Sequence, residues 1–326
     1  MRGTSGYADG LISGATWGLV GVLLARQSGR MSGYSALATP LVMAAIHDSA
    51  AAFFLLVRSG VAGALPRVLG LVTSRTALTV AACSLLGGPI FMGGYVAAVI
   101  LAGPAHALTA TAMYPVFGAL LAQRLLRQRL NRIGWLGVTV AGLGAALTAV
   151  DASSSVDGSR TLVGVAIALA AAAGLALEGI VATRVMARVD ADTAVAVREL
   201  FSATLFAVVL LALPSGVFTA MTVVRTRDLC LPIIVAGFIG GYSFAVWYHS
   251  IRKIGVARAM ALNITYAMWG IVFAWAFQHG GPSLLAAVGC AIVTVGAMVT
   301  ILSDERAGKG GCNEPEESLD PQGVPR

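Results

Sequence analysis

Five ionisable side chains lie within long apolar stretches of this sequence: His47, Asp48, Glu178, Arg198 and Glu199. A charge at the centre of a bilayer costs about 2.5–3.5 kcal/mol on insertion scales, so such residues usually face the interior of a helix bundle or a water-filled cavity. A buried carboxyl group can also take up and release a proton near neutral pH. Asp48 is therefore predicted to carry a proton or to bind substrate. The alternative is a protonated aspartic acid that forms a hydrogen bond between helices.

The other four ionisable residues each allow two interpretations. His47 could relay protons or form a hydrogen bond to a carbonyl. Because neighbouring residues on a helix point about 100° apart, His47 and Asp48 are not expected to reach one substrate atom together. Glu178 and Arg198 could form a structural ion pair or contact substrate, while Glu199 could instead reach interfacial water. Three acidic groups and one basic group suit a zwitterion or an organic cation better than a dianion.

Two segments of the chain repeat at an offset of 152 residues without a gap. Residues 103–122 (GPAHALTATAMYPVFGALLA) align with residues 255–274 (GVARAMALNITYAMWGIVFA), which pairs several glycines and also Tyr114 with Tyr266. Duplicated halves within a polytopic membrane protein point to a secondary transporter. Tyr114, Tyr266 and Asn263 are polar groups within these apolar segments, and each could form a hydrogen bond to a substrate or bridge two helices.

The composition is that of a membrane protein. Hydrophobic residues make up 57% of the chain and charged residues 11%, and the mean hydropathy is +0.83. A spanning helix needs about 20 mainly apolar residues. The sequence contains ten such stretches: 9–26, 36–57, 77–101, 104–126, 133–150, 161–183, 193–213, 229–250, 256–278 and 283–302. We therefore predict an all-α integral membrane protein with ten transmembrane helices.

Basic residues orient the chain, because cytoplasmic loops carry an excess of Lys and Arg. With the N-terminus inside, 16 basic residues fall on the cytoplasmic side and 5 on the other, so both termini are predicted to be cytoplasmic. Each half would hold five helices, an odd number, so the two halves must have opposite orientations. We predict two inverted five-helix repeats, residues 1–150 and 151–303, followed by a disordered cytoplasmic tail over residues 304–326.

Other classes of protein fit the sequence less well. No basic stripe is interleaved with aromatic residues, so no nucleic-acid partner is expected. The four cysteines lack the spacing of a disulfide framework or a metal site, and neither a metal nor a cofactor is expected. Without an HExxH, GxSxG or P-loop motif, no catalytic residue is predicted and the protein is not expected to be an enzyme. A channel, which would have rings of carbonyls or charges, is one alternative to a transporter. A scaffold or receptor is another.

Small residues recur at four-residue spacing at Gly137, Ala141 and Ala145. Such positions let the backbones of two membrane helices approach closely. The spacing fits tight packing within the bundle and a homodimer face equally well, so it leaves both open.

Residues 112–147 (AMYPVFGALLAQRLLRQRLNRIGWLGVTVAGLGAAL) and 264–299 (ITYAMWGIVFAWAFQHGGPSLLAAVGCAIVTVGAMV) share one pattern. Each has a helix, a short polar hinge and a helix that contains glycine. The two segments resemble the fourth-to-fifth and ninth-to-tenth helix units of the drug/metabolite transporter superfamily, specifically its EamA-type ten-helix members. The resemblance implies a permease of the bacterial inner membrane, commonly an exporter of amino acids, metabolites or drugs. It also implies that the proton gradient drives transport, by alternating access between inverted halves.

The hinge is where the chain departs from this family. Members often carry a glutamate after helices four and nine, whereas this sequence has Gln128 and Gly281 near the corresponding places. No role of a hinge carboxylate is therefore carried over to this chain. Asp48 and Glu178 are left as the acids expected to act in transport.

Overall fold

The computed structural model describes residues 2–31, 33–35, 37–125, 131–153, 158–277 and 283–309. These residues form helices joined by short connections, and no strand occurs among them. The first half contains helices α1 to α7 and a π-helix: α1 Arg2–Arg30, α2 Ala38–Val61, α3 Leu65–Val72, α4 Ala77–Leu85, the π-helix Leu86–Gly93, α5 Gly94–Thr111, α6 Tyr114–Leu125 and α7 Arg132–Ser153. The second half contains helices α8 to α14: α8 Gly158–Met186, α9 Ala191–Leu211, α10 Pro214–Arg225, α11 Arg227–Ile254, α12 Val256–Asn263, α13 Tyr266–Phe277 and α14 Leu284–Lys309.

Two expectations concern residues outside the described ranges. Gln128 and Gly281, at the predicted hinges, lie outside them. So does most of the tail predicted to be disordered, although α14 continues past the expected start of that tail to Lys309.

Six helical segments of the described chain are long and apolar enough to cross a membrane: Ser5–Arg30, Ala38–Val61, Ala77–Thr111, Gly158–Met186, Ala191–Leu211 and Arg227–Ile254. Two shorter apolar helices, Tyr266–Phe277 and Leu284–Val299, cover parts of the predicted ninth and tenth spans. In lipid every backbone polar group must be satisfied internally, and a helix does so within its own segment. The protein is therefore an all-helical, multi-pass membrane protein, as the sequence predicted.

The helix bounds repeat at the 152-residue offset found in the sequence. Helices α6 and α13 begin at Tyr114 and Tyr266, which are paired by that offset. Gly103 (φ 80°, ψ 163°) and Gly255 (φ 85°, ψ 156°), also paired, adopt the same backbone conformation. Such a positive φ is accessible to glycine because glycine has no Cβ. The helical residues that follow each glycine end in a two-residue turn, which precedes α6 in the first half and α13 in the second. The fourth and ninth predicted spans are therefore broken at equivalent places.

Two short helices lie in segments that the sequence analysis treated as connections. Helix α3 has Pro66 in its first turn, and α10 begins at Pro214. Proline is favoured at the start of a helix because its fixed φ suits the first turn and its missing N–H would have no intrahelical partner there. Both prolines were visible signals for these helices, and α3 shifted by 152 residues falls within α10.

The third predicted span contains a π-helix, Leu86–Gly93, between α4 and α5. Pro89 lies inside it, and a proline within a helix removes one backbone hydrogen bond. Single-turn π-helices often occur at functional sites. Here the π-helix places Gly87 and Gly88 against polar side chains of α8 and α9.

Helices α7 and α14 pack along each other through small residues. A Cβ added to Gly144 would come within 2.7 Å of the backbone nitrogen of Val293, and one added to Gly296 would overlap the backbone nitrogen of Ala141. The small-residue spacing of α7 is therefore used for packing within this chain. The small-residue spacing therefore no longer supports a homodimer, which stays a prediction.

The remaining long helices surround the ionisable side chains. Helix α1 packs along α11, α2 packs between α9 and α11, and α5 packs along α8. This arrangement brings α2, α8 and α9 together where the ionisable residues of the three helices lie.

Candidate functional site

A guanidinium and two carboxylates form a buried ion cluster between α8 and α9. Arg198 Nε donates a hydrogen bond to Glu178 Oε1 at 2.8 Å, and Arg198 Nη2 lies 3.3 Å from Glu178 Oε2. Arg198 Nη1 contacts Glu199 Oε1, and the Tyr248 hydroxyl donates to Glu178 Oε1 at 3.1 Å. Of the two interpretations for Glu178 and Arg198, the ion pair is therefore observed. The alternative in which Glu199 reaches interfacial water is not, because its side chain is fully buried against Arg198.

Three polar side chains of α2 and α9 form a second buried group beside the first. His47 Nδ1 lies 2.9 Å from Asp48 Oδ1, and the Ser202 hydroxyl donates to Asp48 Oδ2 at 2.5 Å. His47 and Asp48 are neighbours in sequence, yet they face different helices, since the His47 ring lies against Gly240 of α11. Asp48 therefore faces α9, whereas the His47 ring packs against α11.

Glycines make room for both groups at two equivalent places. A Cβ on Gly88 would overlap the Ser202 hydroxyl, and a Cβ on Gly240, which is 152 residues later, would overlap His47 Nε2. Each glycine thus lies in one half of the chain and faces a polar side chain of the other half. Gly87 is equally tight, because a Cβ there would overlap Arg198 Nη2. The π-helix stretch that contains Gly87 and Gly88 is therefore part of the site.

Two buried polar atoms at this site have no hydrogen-bond partner among the described residues. They are His47 Nε2 and Glu199 Oε2. The two residues are themselves 152 positions apart, so the duplicated halves each supply one. A buried polar group without a partner is costly, and such groups in a native structure call for an explanation in function or in bound water.

Aromatic rings separate this charged region from a small cavity. The ring centroid of Trp17 lies 5.1 Å from that of Phe244, 5.7 Å from that of Phe91 and 6.1 Å from that of His47. The guanidinium carbon of Arg198 lies 4.3 Å from the centroid of Phe244. That distance suits a cation–π contact. The aromatic cluster of Trp17, Phe91 and Phe244 therefore contacts ionisable side chains and also lines the cavity.

The polar residues of the broken fourth and ninth spans meet at the cavity. The Tyr114 hydroxyl donates to Asn263 Oδ1 at 3.0 Å, and Asn263 Nδ2 donates to Ser13 Oγ at 2.8 Å. Ser13 in turn is hydrogen-bonded to Ser243 of α11. Tyr114 and Tyr266 stack, with ring centroids 6.3 Å apart. Of the two interpretations for these residues, bridging between helices is thus observed for Tyr114 and Asn263.

The cavity itself has a volume of about 20 Å³, which is enough for one water molecule. Its walls come from α1, the π-helix, α8, α11 and α12: Ser13, Trp17, Phe91, Leu175, Ser243, Phe244, Trp247 and Asn263. A larger recess of about 570 Å³ lies between α2, α9, α10 and α11, but apart from Ser49 and Cys230 its lining is apolar.

Ion pairs join five helices at one end of the bundle. Asp192 at the start of α9 accepts from Arg58 of α2 at 2.9 Å and lies 2.8 Å from His249 Nε2 of α11. Further pairs at this end link Arg67 of α3 with Asp190 at 3.4 Å and Lys253 of α11 with Asp9 of α1 at 2.6 Å. Arg58, Arg67 and Lys253 are among the residues predicted to be cytoplasmic. Arg58, Arg67, Asp190 and Asp192 line a pocket of about 240 Å³ at this end.

These ion pairs have no charged counterparts at the offset positions. The residues paired with Arg58, Asp192 and Lys253 by the 152-residue offset are Leu210, Pro40 and Leu101. The charged residues of these pairs are therefore not repeated in the other half of the chain.

Asp190 also begins helix α9. Its carboxylate accepts hydrogen bonds from the Thr193 backbone N–H at 2.9 Å and from the Thr193 hydroxyl at 2.8 Å. Partial burial of Asp190 acts to raise its pKa, but the hydrogen bonds from Thr193 and the charge of Arg67 outweigh burial and hold the pKa below its ordinary value of 3.8. Asp190 is thus a charged N-cap at the end of the bundle where the ion pairs lie.

The predicted site residues fall into two neighbouring groups. His47, Asp48, Glu178, Arg198 and Glu199 meet between α2, α8 and α9, while Tyr114, Asn263 and Tyr266 lie around the cavity side of the aromatic cluster. Among the described residues, no group of three or more His, Cys, Asp and Glu side chains is placed to hold a metal ion.

Several residues of the site were missed by sequence reasoning. Ser202, Tyr248, Trp17, Phe244 and Trp247 all contact it. Serine and aromatic residues are ordinary within membrane helices, so nothing in their types marks them. The one available signal is spacing, because Ser202 lies four residues, about one helical turn, after Arg198 and so shares its helix face.

The match to known proteins agrees with this architecture. The family model for the "EamA-like transporter family" matches residues 4–150 and 162–302. The chain belongs to this family. The two matched segments are the two EamA domains, so the resemblance found in the sequence is confirmed.

An individual relative and a solved structure are also similar to this chain. The chain is 22% identical to Protein LicB of Haemophilus influenzae over 225 residues, which cover 67% of this chain and 73% of the relative. A crystal structure of a protein with 19% sequence identity superposes with a TM-score of 0.62 and covers 92% of this chain and 99% of its own. At this identity the structural likeness supports the fold alone.

Proposed function

We propose that this EamA-family protein is a proton-coupled secondary transporter that moves a small metabolite, amino acid or drug by alternating access. The observation that carries the proposal is the buried pair of polar groups around Asp48 and Arg198. Five ionisable side chains inside a membrane protein are costly to retain. Those of Asp48, Glu178 and Glu199 are carboxyls, which can exchange protons with the cavity when it opens.

The partnerless atoms His47 Nε2 and Glu199 Oε2 support proton coupling in particular. Each can accept a proton or a water molecule without breaking a hydrogen bond observed in the structure. Because Asp48 lies within hydrogen-bond distance of His47, and Glu199 contacts Arg198, a change of protonation at either atom alters the charge balance of a buried group. Coupling requires that the two conformations of the transporter bind this proton with different affinities, so that its binding shifts the balance between them.

The arrangement of the chain supports alternating access. We propose ten transmembrane helices in two inverted repeats, residues 1–150 and 151–303, with both termini in the cytoplasm of a bacterial cell and the protein in its inner membrane. The repeated helix bounds and the paired glycines at Gly103 and Gly255 fit this scheme. In inverted-repeat transporters, one repeat rocks against the other around a central site. The ion pairs around Asp192 then close the cytoplasmic end, and the opposite end closes through apolar contacts.

The direction of transport follows the family resemblance, which favours export. A channel, a receptor and a scaffold would each lack substrate movement that depends on the proton gradient. A membrane enzyme would chemically change its substrate. Flux in purified vesicles therefore separates the transporter from these classes.

The test uses purified protein in liposomes that contain a pH-sensitive dye, with a pool of amino acids added outside under an imposed pH gradient. Wild-type protein is expected to move protons only when substrate is present, and Asp48→Asn is expected to abolish that movement while it remains folded. Asp228→Asn is the matched control, because Asp228 is exposed in the first turn of α11. Full proton-coupled flux in Asp48→Asn would remove Asp48 from the mechanism. Flux without proton movement in the wild type would overturn the coupling.

A further inference from the structure

The small cavity beside the aromatic cluster is lined by hydrogen-bond donors. Trp247 of α11 is 3% exposed, and its indole N–H has no partner among the described residues. An indole nitrogen can donate a hydrogen bond but cannot accept one. A buried donor without a partner is unfavourable, so this N–H is suited to an acceptor that enters the cavity.

Asn263 adds a second donor to the same cavity. Its carbonyl oxygen accepts from Tyr114, and one of its two N–H groups donates to Ser13. These contacts fix the orientation of the amide, with the nitrogen on the side of Ser13. The second N–H of an amide can donate as well. Trp247, Asn263, Ser13 and Ser243 therefore contribute the polar groups of the cavity lining.

Aromatic rings make up much of the remaining lining. Trp17, Phe91 and Phe244 line the cavity, and the guanidinium of Arg198 already lies 4.3 Å from the Phe244 ring. Ring faces attract cations, and the attraction is stronger where water is excluded. The cavity therefore offers both hydrogen-bond donors and aromatic rings.

We propose that this cavity is the substrate subsite for the carboxylate of a small zwitterion, and that it is separate from the groups that carry the proton. The carboxylate accepts hydrogen bonds from Trp247 and Asn263, and the ammonium group lies against the ring faces. Protons are taken up on the other side of the aromatic cluster, at Asp48 and the carboxylates around Arg198. This inference rests on the proposed transport function and adds to it the class of substrate and the residues that recognise it.

The hydrogen-bond donors distinguish between a zwitterion and an organic cation, the two substrate classes that the buried ionisable groups allow. A simple organic cation has no acceptor for Trp247 and Asn263, so their N–H groups would stay unsatisfied. A zwitterion satisfies both the donors, through its carboxylate, and the aromatic rings, through its ammonium group. At about 20 Å³ the cavity in this conformation is too small for such a ligand, so the rings of Trp17 and Phe244 must separate when substrate binds.

The test compares ligands that differ only in the carboxylate. The probes are the neutral L-amino acids and, for each, the amine that remains when the carboxyl group is removed. Thermal stabilisation of the purified protein reports binding, because a ligand that binds the folded state raises its apparent stability. We expect at least one amino acid to stabilise the wild type and its amine to do so far more weakly.

The variants then separate the substrate subsite from the proton site. Trp247→Phe keeps an aromatic ring but removes the donor, and loss of one hydrogen bond to a charged group corresponds to about a tenfold rise in the half-saturating concentration. The pH dependence of the remaining flux should be unchanged. Asp48→Asn should show the reverse, with amino-acid stabilisation kept and pH-driven flux lost. Trp275→Phe is the matched control, since Trp275 is 61% exposed.

Three outcomes would overturn the inference. They are equal stabilisation by amino acids and amines, an unchanged half-saturating concentration in Trp247→Phe, and a shifted pH profile in that variant. If no amino acid binds while another solute drives proton flux, the zwitterion subsite is wrong but the proposed transport function stands. Should Trp247→Phe not fold, Ser243→Ala removes a hydroxyl from the same cavity lining and is expected to weaken amino-acid binding in the same direction.

Discussion

Arg198→Met isolates the electrostatic role of the buried ion cluster. The substitution keeps an unbranched apolar side chain but removes the only cation that contacts Glu178 and Glu199 in the described structure. Both carboxylates are fully buried, so bulk solvent does not screen them once the guanidinium is removed. In the folded variant, Glu178 and Glu199 must therefore either stay charged without a cation or bind protons.

The expected magnitude follows from these contacts. Removal of one partner of a buried ion pair typically costs about 3–5 kcal/mol, and Arg198 contacts two carboxylates and an aromatic ring. We expect the free energy of unfolding to fall by about 3–5 kcal/mol. When Glu178→Gln and Glu199→Gln are added to Arg198→Met, no formal charge is left in the cluster. Most of the loss should then be recovered, because replacement of a whole buried ion group by neutral residues is often close to neutral.

The assay is reversible unfolding of the purified protein in mixed micelles, followed by circular dichroism. Arg225→Met is the matched control, because Arg225 is exposed at the end of α10 and should change stability by less than about 0.5 kcal/mol. A loss below about 1 kcal/mol in Arg198→Met would contradict the argument. So would a triple variant that is as unstable as the single one, because the loss would then come from packing and not from charge.

Three further predictions concern the surroundings of the site. Gly87→Ala should lower the free energy of unfolding by about 1–3 kcal/mol, because the added Cβ overlaps the ion cluster. Gly142→Ala is the control, since a Cβ there meets open space and should leave the free energy of unfolding unchanged. Chemical unfolding compares the two variants. Asp190→Ala should cost about 1 kcal/mol through loss of the N-cap and Asp190→Asn less. Since the pKa of Asp190 is lowered in the folded protein, its charge stabilises the fold above pH 3.8. This stabilisation is lost as the pH falls from 3.8 through the lowered pKa. The free energies of unfolding of wild type and Asp190→Asn, measured in a pH series, should therefore converge below that lowered pKa. Asp192→Asn should loosen the ion-paired end and speed labelling of Ser59→Cys by an impermeant maleimide, and an unchanged rate would show that these ion pairs do not close it.

Much of the architecture could be predicted because lipid imposes simple rules on sequence. Long apolar stretches became helices, and the repeat at 152 residues became repeated helix bounds and a matched pair of glycines with positive φ. The helix breaks after Gly103 and Gly255 were not predicted. A break depends on local backbone conformation, and glycine in membrane helices more often lies within an unbroken helix.

The candidate site was predicted in part. Ionisable residues stand out in an apolar sequence, so Asp48, Glu178 and Arg198 were found from their chemistry alone. Their partners were not, because the contact of Ser202 with Asp48 depends on how α2 and α9 pack. Trp247 was missed for a similar reason. Its importance lies in an unsatisfied N–H, which only the packing around it reveals.

The inverted repeat is the part of the account on which alternating access depends, and two cysteines test it most directly. Gly60 and Ala212 are exposed, lie at the ends of α2 and α9, and are paired by the 152-residue offset. In a background without native cysteines, an impermeant maleimide is applied to intact cells that carry Gly60→Cys or Ala212→Cys. Inverted halves predict that Ala212→Cys is labelled from outside and that Gly60→Cys is labelled only after the membrane is opened. Labelling of both positions from the same side would contradict the inverted repeat and, with it, the proposed mechanism.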